Sequence, residues 1–161
     1  MELTSYFKTF EGKRILVLGD VMLDSYIRGK VSRVSPEAPV PIVQLESRED
    51  RLGGAANVAL NLVALGANPV ICSVIGDDAQ SEMLIALLKE SGIYAEGVIQ
   101  SKGRKTTVKT RVIGNHQHLL RVDEEQIDPI SASEEEQLIS KVGELLTQAD
   151  GMIFEDYNKG V

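Results

Sequence analysis

Short apolar runs and amphipathic stripes alternate along this chain. Ile15-Leu16-Val17-Leu18-Gly19 has no polar break, the pattern of a strand buried on both faces of a sheet. Gly54 to Leu65 then follows a helical period, with Ala55, Val58, Ala59, Leu62 and Leu65 on one stripe and Gly66 as a C-terminal stop. Val70 to Ile75 predicts a second buried strand. Asp77 or Asp78 can cap a helix with the stripe Leu84, Leu87 and Leu88, ended by Gly92. Ser133 and Glu136 form a capping box before Leu138, Ile139, Val142, Leu145 and Leu146. Met152-Ile153-Phe154 predicts a last strand, and Tyr157 to Val161 the entry to a further helix. Strands and helices alternating at this spacing predict an α/β fold, a mostly parallel sheet flanked by helices.

Two segments break the alternation. Val40 to Leu45 follows the proline-rich Ser35-Pro36-Glu37-Ala38-Pro39-Val40-Pro41 and predicts an extended strand. Thr106 to Ile113 and Gln117 to Val122 predict a hairpin around Gly114-Asn115, each strand with a polar and an apolar face. Together, residues of about 26–46 and 105–122 predict a small β lid projecting from the α/β body. All 161 residues are then one domain or part of one.

Composition narrows the function classes. The chain is 43% hydrophobic and 25% charged, which excludes a disordered or fibrous protein. With 4% aromatic residues, no Trp and a net charge of -7, neither a base-stacking platform nor general polyanion binding fits, and no nucleic-acid partner is expected. No apolar run approaches the roughly 20 residues that span a bilayer, and Met1 to Lys13 lacks a signal peptide's apolar stretch, so a cytoplasmic location and no membrane contact are expected. One cysteine, Cys72, permits no internal disulfide and lies in a predicted buried strand, where an inert thiol is expected.

The charge is segregated. From Val122 onward there are eleven acidic and two basic residues, whereas Ser101 to Arg121 holds Lys102, Arg104, Lys105, Lys109, Arg111 and Arg121 with no acid. A one-sign run concentrates anions; equally, lysines on a solvated edge hairpin deter strand-to-strand aggregation. His116 and His118 share one face of the predicted hairpin without a third ligand at metal-binding spacing, so no metal site is assigned.

The phosphate-loop, dinucleotide, zinc-protease and nucleophile-elbow signatures are all missing. What remains follows the first strand. Asp20 and Asp24 stand near its carboxyl end, where open α/β sheets bind ligands, and a carboxylate suits adjacent sugar hydroxyls; a turn cap is the competing reading. Gly53-Gly54-Ala55-Ala56-Asn57 places paired glycines at a helix start, leaving N–H groups open to a ligand, with Asn57 adding a donor and an acceptor.

Gly53-Gly54-Ala55-Ala56-Asn57-Val58-Ala59, followed by Gly66 and Gly76, resembles the first signature of the ribokinase-like (PfkB-type) carbohydrate kinases. Gly19-Asp20-Val21-Met22-Leu23-Asp24 is similar to the family's opening strand and turn, and the resemblance implies that Asp24 binds sugar hydroxyls. Arg33 to Pro41, Leu120-Arg121-Val122-Asp123 and Asp156-Tyr157-Asn158-Lys159-Gly160 resemble the branch that phosphorylates C1 of D-glycero-β-D-manno-heptose 7-phosphate for the ADP-heptose of the lipopolysaccharide core. ATP and Mg²⁺ are the implied cofactors of such a kinase, and a homodimer through the β lid its implied assembly. With the family in view, Lys109 and Arg111, on one strand face roughly 7 Å apart, together with Arg121, become candidates for holding the substrate's existing phosphate.

The family's second signature, Gly-Ala-Gly-Asp with its proton-accepting Asp, does not occur in these 161 residues. The resemblance therefore implies the N-terminal, sugar-binding part of a kinase, truncated before the ATP-binding half. No catalytic residue and no ATP or Mg²⁺ site are expected in this chain alone. Three alternatives stay open: a non-catalytic sugar-phosphate-binding module, a dimerisation module, and a kinase of another sugar in the same family.

Overall fold

The computed structural model describes residues 6–161; residues 1–5, within the segment read for a leader, lie outside the described residues. Strands β1 (Arg14–Gly19), β4 (Asn68–Gly76), β5 (Tyr94–Ser101) and β8 (Gly151–Glu155) form one sheet in the order β5-β4-β1-β8. All its pairings are parallel. The period-two pleat divides each apolar run between two cores. Val17, Ile71 and Ile75 pack on helices α1 (Ala55–Ala64) and α2 (Ala79–Glu90) through Ala55, Ala59, Leu62, Leu84 and Leu88. Leu16, Val70, Cys72 and Val74 meet Leu138 and Leu145 of α3 (Ala132–Leu146) on the opposite side. Continuous hydrophobicity in β1 and β4 is thus the consequence of helices on both faces.

A second sheet has the order β3-β2-β6-β7, from β2 (Val21–Val34), β3 (Pro41–Gly54), β6 (Val108–Gly114) and β7 (Gln117–Glu124). Only its β2–β6 pairing is parallel. Both β2 and β3 have 14 residues, so the long ribbon begins at residue 21 and returns to residue 54, well outside the predicted 26–46. Asp24 accordingly sits within a strand rather than on a turn.

One junction fastens the sheets together. Asp78 caps α2 by accepting from Ser81 N at 2.8 Å, and also accepts from Thr106 N at 2.8 Å and Thr106 Oγ1 at 2.7 Å just before β6. Gly76 is required there, because a Cβ would meet Asp78 Oδ2 and Thr106 N. Burial opposes the Asp78 charge, but the hydrogen bonds from Thr106 and Ser81 hold its carboxyl below the usual range.

Three local expectations are corrected, and one strand is added. The α3 capping box is Ser131 with Glu134, two residues before the predicted one, since Ser131 is the residue with extended backbone and its N–H donates to Glu134 Oε2 at 2.8 Å. The hairpin turns on Asn115 and His116, both with positive φ, so His116 is in the turn and does not share a strand face with His118. β5, an edge strand with polar residues interleaved, gave no clear period and was not anticipated. Residues 156–161 do not enter a helix; they form bends and irregular backbone.

Candidate functional site

The four parallel strands of the first sheet end on one edge, at Gly19, Gly76, Ser101 and Glu155, and α1 starts there as well. Asp20 lies at the centre of this edge and is 2% exposed. Its carboxylate accepts from the N–H groups of Tyr157 (2.9 Å), Lys159 (3.0 Å) and Val161 (3.2 Å). Its own N–H donates to Glu155 O at 3.1 Å and its carbonyl accepts from Ala55 N at 2.9 Å. Asp20 therefore binds β1, α1 and the segment after β8 into one unit, and its carboxylate is filled by backbone donors rather than turned to a ligand.

The glycine pair also does something other than the sequence suggested. A Cβ on Gly53 would stand 2.6 Å from Asp24 Oδ2 and 2.9 Å from Met22 Cγ, and a Cβ on Gly54, with φ of 58°, would strike Asp20 O. The space freed by both glycines is occupied by the chain's own Asp24, Met22 and Asp20. Gly54 leaves α1 with no side-chain cap, so the first turn keeps open N–H groups, and Asn57 is exposed in that turn.

Asp24 is the half-buried carboxylate of this neighbourhood, its side chain 22% exposed. Oδ1 accepts from Arg111 Nη1 at 2.5 Å; among the described residues Oδ2 accepts no hydrogen bond. The ion pair holds the Arg111 guanidinium above its ordinary range, chiefly through the hydrogen bond from Arg111 to Asp24.

Strand register explains why these groups meet. Arg51, Asp24, Lys109 and Asp123 are directly opposite one another across β3, β2, β6 and β7, and the next row is Glu49, Tyr26, Arg111 and Arg121. Residues two apart share a face, so one side of the second sheet carries these charged side chains while Leu120 and Val122, 52% and 48% exposed, lie on the other. Lys109 reaches both Asp123 (3.1 Å) and Glu125 (2.9 Å), and Glu125 also pairs with Lys159 at 3.2 Å. Burial opposes the Lys109 charge, yet these two carboxylates hold its ammonium above the usual range. Arg121 makes two bonds to Asp123, of 2.8 and 3.0 Å. Arg104 donates to the carbonyls of Asp128 at 2.8 Å, Gln126 at 3.2 Å and Lys159. The acidic residues after Val122 thus fold back on the basic run before it.

The structure brings Asp24, Gly53, Lys109, Arg111 and Arg121 together, with Asn57 at the adjoining helix start, and sets Asp20 and Gly54 beneath them as a scaffold. Sequence reasoning missed Tyr26, Arg28, Glu49, Arg51, Glu125 and Lys159. The period-two spacing of Asp24, Tyr26 and Arg28, matched by Glu49 and Arg51, was the available signal. Among the described residues no three His, Cys, Asp or Glu side chains converge to hold a metal ion, and no helix is long and apolar enough to cross a membrane.

Comparison with known proteins identifies the family and the fold. Residues 13–155 match the family described as pfkB family carbohydrate kinase. The chain is 47% identical over 149 residues to the bifunctional protein HldE of Helicobacter pylori, covering 92% of this chain and 32% of that protein. It is 44% identical over 147 residues to the bifunctional protein HldE of Wolinella succinogenes, covering 91% and 31%. The chain thus spans about a third of the length of the curated relatives it matches. Among solved structures, a carbohydrate kinase from Agrobacterium tumefaciens has a TM-score of 0.69 at 20% identity, covering 88% of this chain and 45% of that one. The microbiome-derived acarbose kinase Mak1 has a TM-score of 0.65 at 20% identity, covering 89% and 45%; at such identity both speak for the fold alone.

Proposed function

The chain belongs to the pfkB family of carbohydrate kinases, and from that premise we propose that it is the sugar-binding part of a cytoplasmic kinase for D-glycero-β-D-manno-heptose 7-phosphate. In this reading the γ-phosphoryl group of ATP passes to the C1 hydroxyl in the synthesis of ADP-heptose. The observation that carries it is Asp24: a half-buried carboxylate fixed through one oxygen by Arg111, with the other oxygen free to accept sugar hydroxyls. Asn57 and the open first turn of α1 stand on the same edge, and the 47% identity to the Helicobacter protein favours the heptose branch over other sugars.

The residues of this chain bind and orient; they do not supply the base. Asp24 holds hydroxyls, the cations of β6 and β7 draw a phosphorylated substrate to this face, and Asp20 fixes the segment that carries Lys159. ATP supplies the transferred group, and Mg²⁺ neutralises its phosphates in kinases generally. The described residues offer no fitting set of carboxylates for that ion, so no step runs through it here. Both cofactors, with the proton-accepting Asp, fall to sequence of the whole enzyme beyond these residues. The exposed Leu120 and Val122 suit pairing of two copies through the second sheet.

Calorimetric titration with heptose 7-phosphate, with ribose and fructose 6-phosphate as comparisons, tests the reading. Selective binding of the heptose phosphate, with no ATP turnover by the chain alone, is the expected result. A folded chain that binds all three sugars alike overturns the substrate assignment, and turnover of ATP with heptose phosphate overturns the division of roles.

A further inference from the structure

The segment after β8 has its backbone donors and acceptors held by opposite charges. Positive φ at Asn158 (56°) and Gly160 (97°) arranges successive amides in the manner of an anion-binding nest. The anion is internal: the Asp20 carboxylate accepts from the N–H groups of Tyr157, Lys159 and Val161. The carbonyl of Lys159 instead accepts from Arg104 Nη2, and that of Gly160 accepts from Ile130 N at 2.9 Å. A carboxylate thus takes the donors and a guanidinium takes an acceptor, the pairing in which each charge strengthens the bond.

Arg104 differs from the other bases between Ser101 and Arg121 that reach this face. Its hydrogen-bond acceptors are the carbonyls of Asp128, Gln126 and Lys159, with no carboxylate among them. Lys109, Arg111 and Arg121 all meet carboxylates. A planar fork with several fixed donors can join separate stretches of chain at once, as an ammonium on a flexible stem cannot. The fit around it is close. A Cβ on Gly160 would stand 2.9 Å from Arg104 Nη2 and 2.2 Å from Asp128 O.

What this clamp carries is Lys159. Its side chain is 16% exposed and its ammonium lies 3.2 Å from Glu125, the carboxylate that Lys109 also reaches at 2.9 Å. Lys109, Arg111 and Arg121 owe their places to strand register in the second sheet. Lys159 belongs to no strand, so its place beside them depends on the backbone that Asp20 and Arg104 hold.

We propose that Arg104 is a positioning residue of the sugar-phosphate site: with Asp20 it clamps residues 157–161 and thereby keeps the Lys159 ammonium at the charged face. Arg104 touches no ligand itself and acts through Lys159. The proposal rests on the sugar-phosphate reading above and adds a residue to the machinery that orients the substrate.

Amide exchange followed by NMR, on the chain without ligand, is the first arm. In Arg104→Gln the N–H groups of Tyr157, Lys159 and Val161 are expected to exchange at least tenfold faster while the amides of β4 keep their rates. Unchanged exchange at the three overturns the clamp. Calorimetry with heptose 7-phosphate is the second arm, on Arg104→Gln, Lys159→Gln and the double variant, with folding verified by circular dichroism. Each single variant is expected to bind about tenfold more weakly, the loss of one charge-assisted contact. The double variant is expected to bind no more than twofold more weakly than either, because both changes remove the same contact. A merely structural role would not couple the binding loss to Lys159. Losses that multiply in the double variant, or parental affinity in either single variant, overturn the proposal and spare the kinase reading. A parent chain that binds heptose 7-phosphate and fructose 6-phosphate alike overturns the heptose assignment, and coupled losses measured with fructose 6-phosphate then still support the positioning role.

Discussion

Asp20 and Asp24 are four residues apart and chemically identical, yet the fold gives them different work. Asp20 is closed in by three backbone N–H groups, so it organises the edge of the sheet. Asp24 keeps one oxygen free beside Gly53. Asp24→Asn is expected to lower sugar affinity at least tenfold by calorimetry and to cost about 1–3 kcal/mol in urea unfolding, since Arg111 loses its charged partner in a half-buried place. Cys72 offers a second check at this scale. Burial, followed by the charge of Glu96, pushes its thiol up to about 11. Thiol titration at pH 8 is expected to find it unreactive in the native chain and fully reactive in urea, because the thiolate is the nucleophile.

Among the elements, the decisive contact is the one between α2 and β6. Asp78 caps the helix and binds Thr106, so one carboxylate fixes both a helix start and the entry to the second sheet. Its folded pKa lies below its unfolded value near 4, so its stabilisation is complete above about pH 4 and is lost as pH falls through the folded value. Asp78→Asn removes that stabilisation at neutral pH. The variant is expected to be less stable by about 1–3 kcal/mol at pH 7 and to lose less stability than the parent between pH 4 and pH 2, as read from urea midpoints. An unchanged acid limb would assign the acid sensitivity to another group.

For the whole molecule, the side of the first sheet beside β8 stands apart. A cavity of about 680 Å³ opens there, lined by apolar residues including Ile130, Leu138, Ile139, Val142, Met152 and Phe154. Phe154 is 67% exposed and Ile139 is 64% exposed, and β8 ends the sheet with one unpaired edge. Apolar surface next to an open edge favours association. Phe154→Lys with Ile139→Lys is expected to lower the sedimentation-average mass at high concentration without altering the circular dichroism spectrum. A parent chain that stays monomeric at every concentration would show that the face tolerates water.

Much of the first sheet was readable because its signals are local. Continuous apolar runs mark β1 and β4, stripes of period 3.6 mark the three helices, and Gly66 with φ of 85° ends α1 where a left-handed residue is needed. The glycine-rich motif around residue 53 likewise marks its family in the sequence itself, since spacing and residue type are what a motif consists of. The site's partners were beyond that reading because they depend on register between distant strands. Nothing local tells that Asp24 faces Arg111, 87 residues later, or that Glu125 neutralises Lys109. The run of one sign from Ser101 to Arg121 looks like an open positive field, whereas Asp123 and Glu125 meet Lys109, Asp123 meets Arg121, and Asp24 of β2 meets Arg111. The composition of charges is a property of the sequence. Which of them are left unpaired, and hence able to take a ligand, is decided only when the strands pair, because Coulomb attraction and hydrogen bonding act over a few ångströms of space and not along the chain.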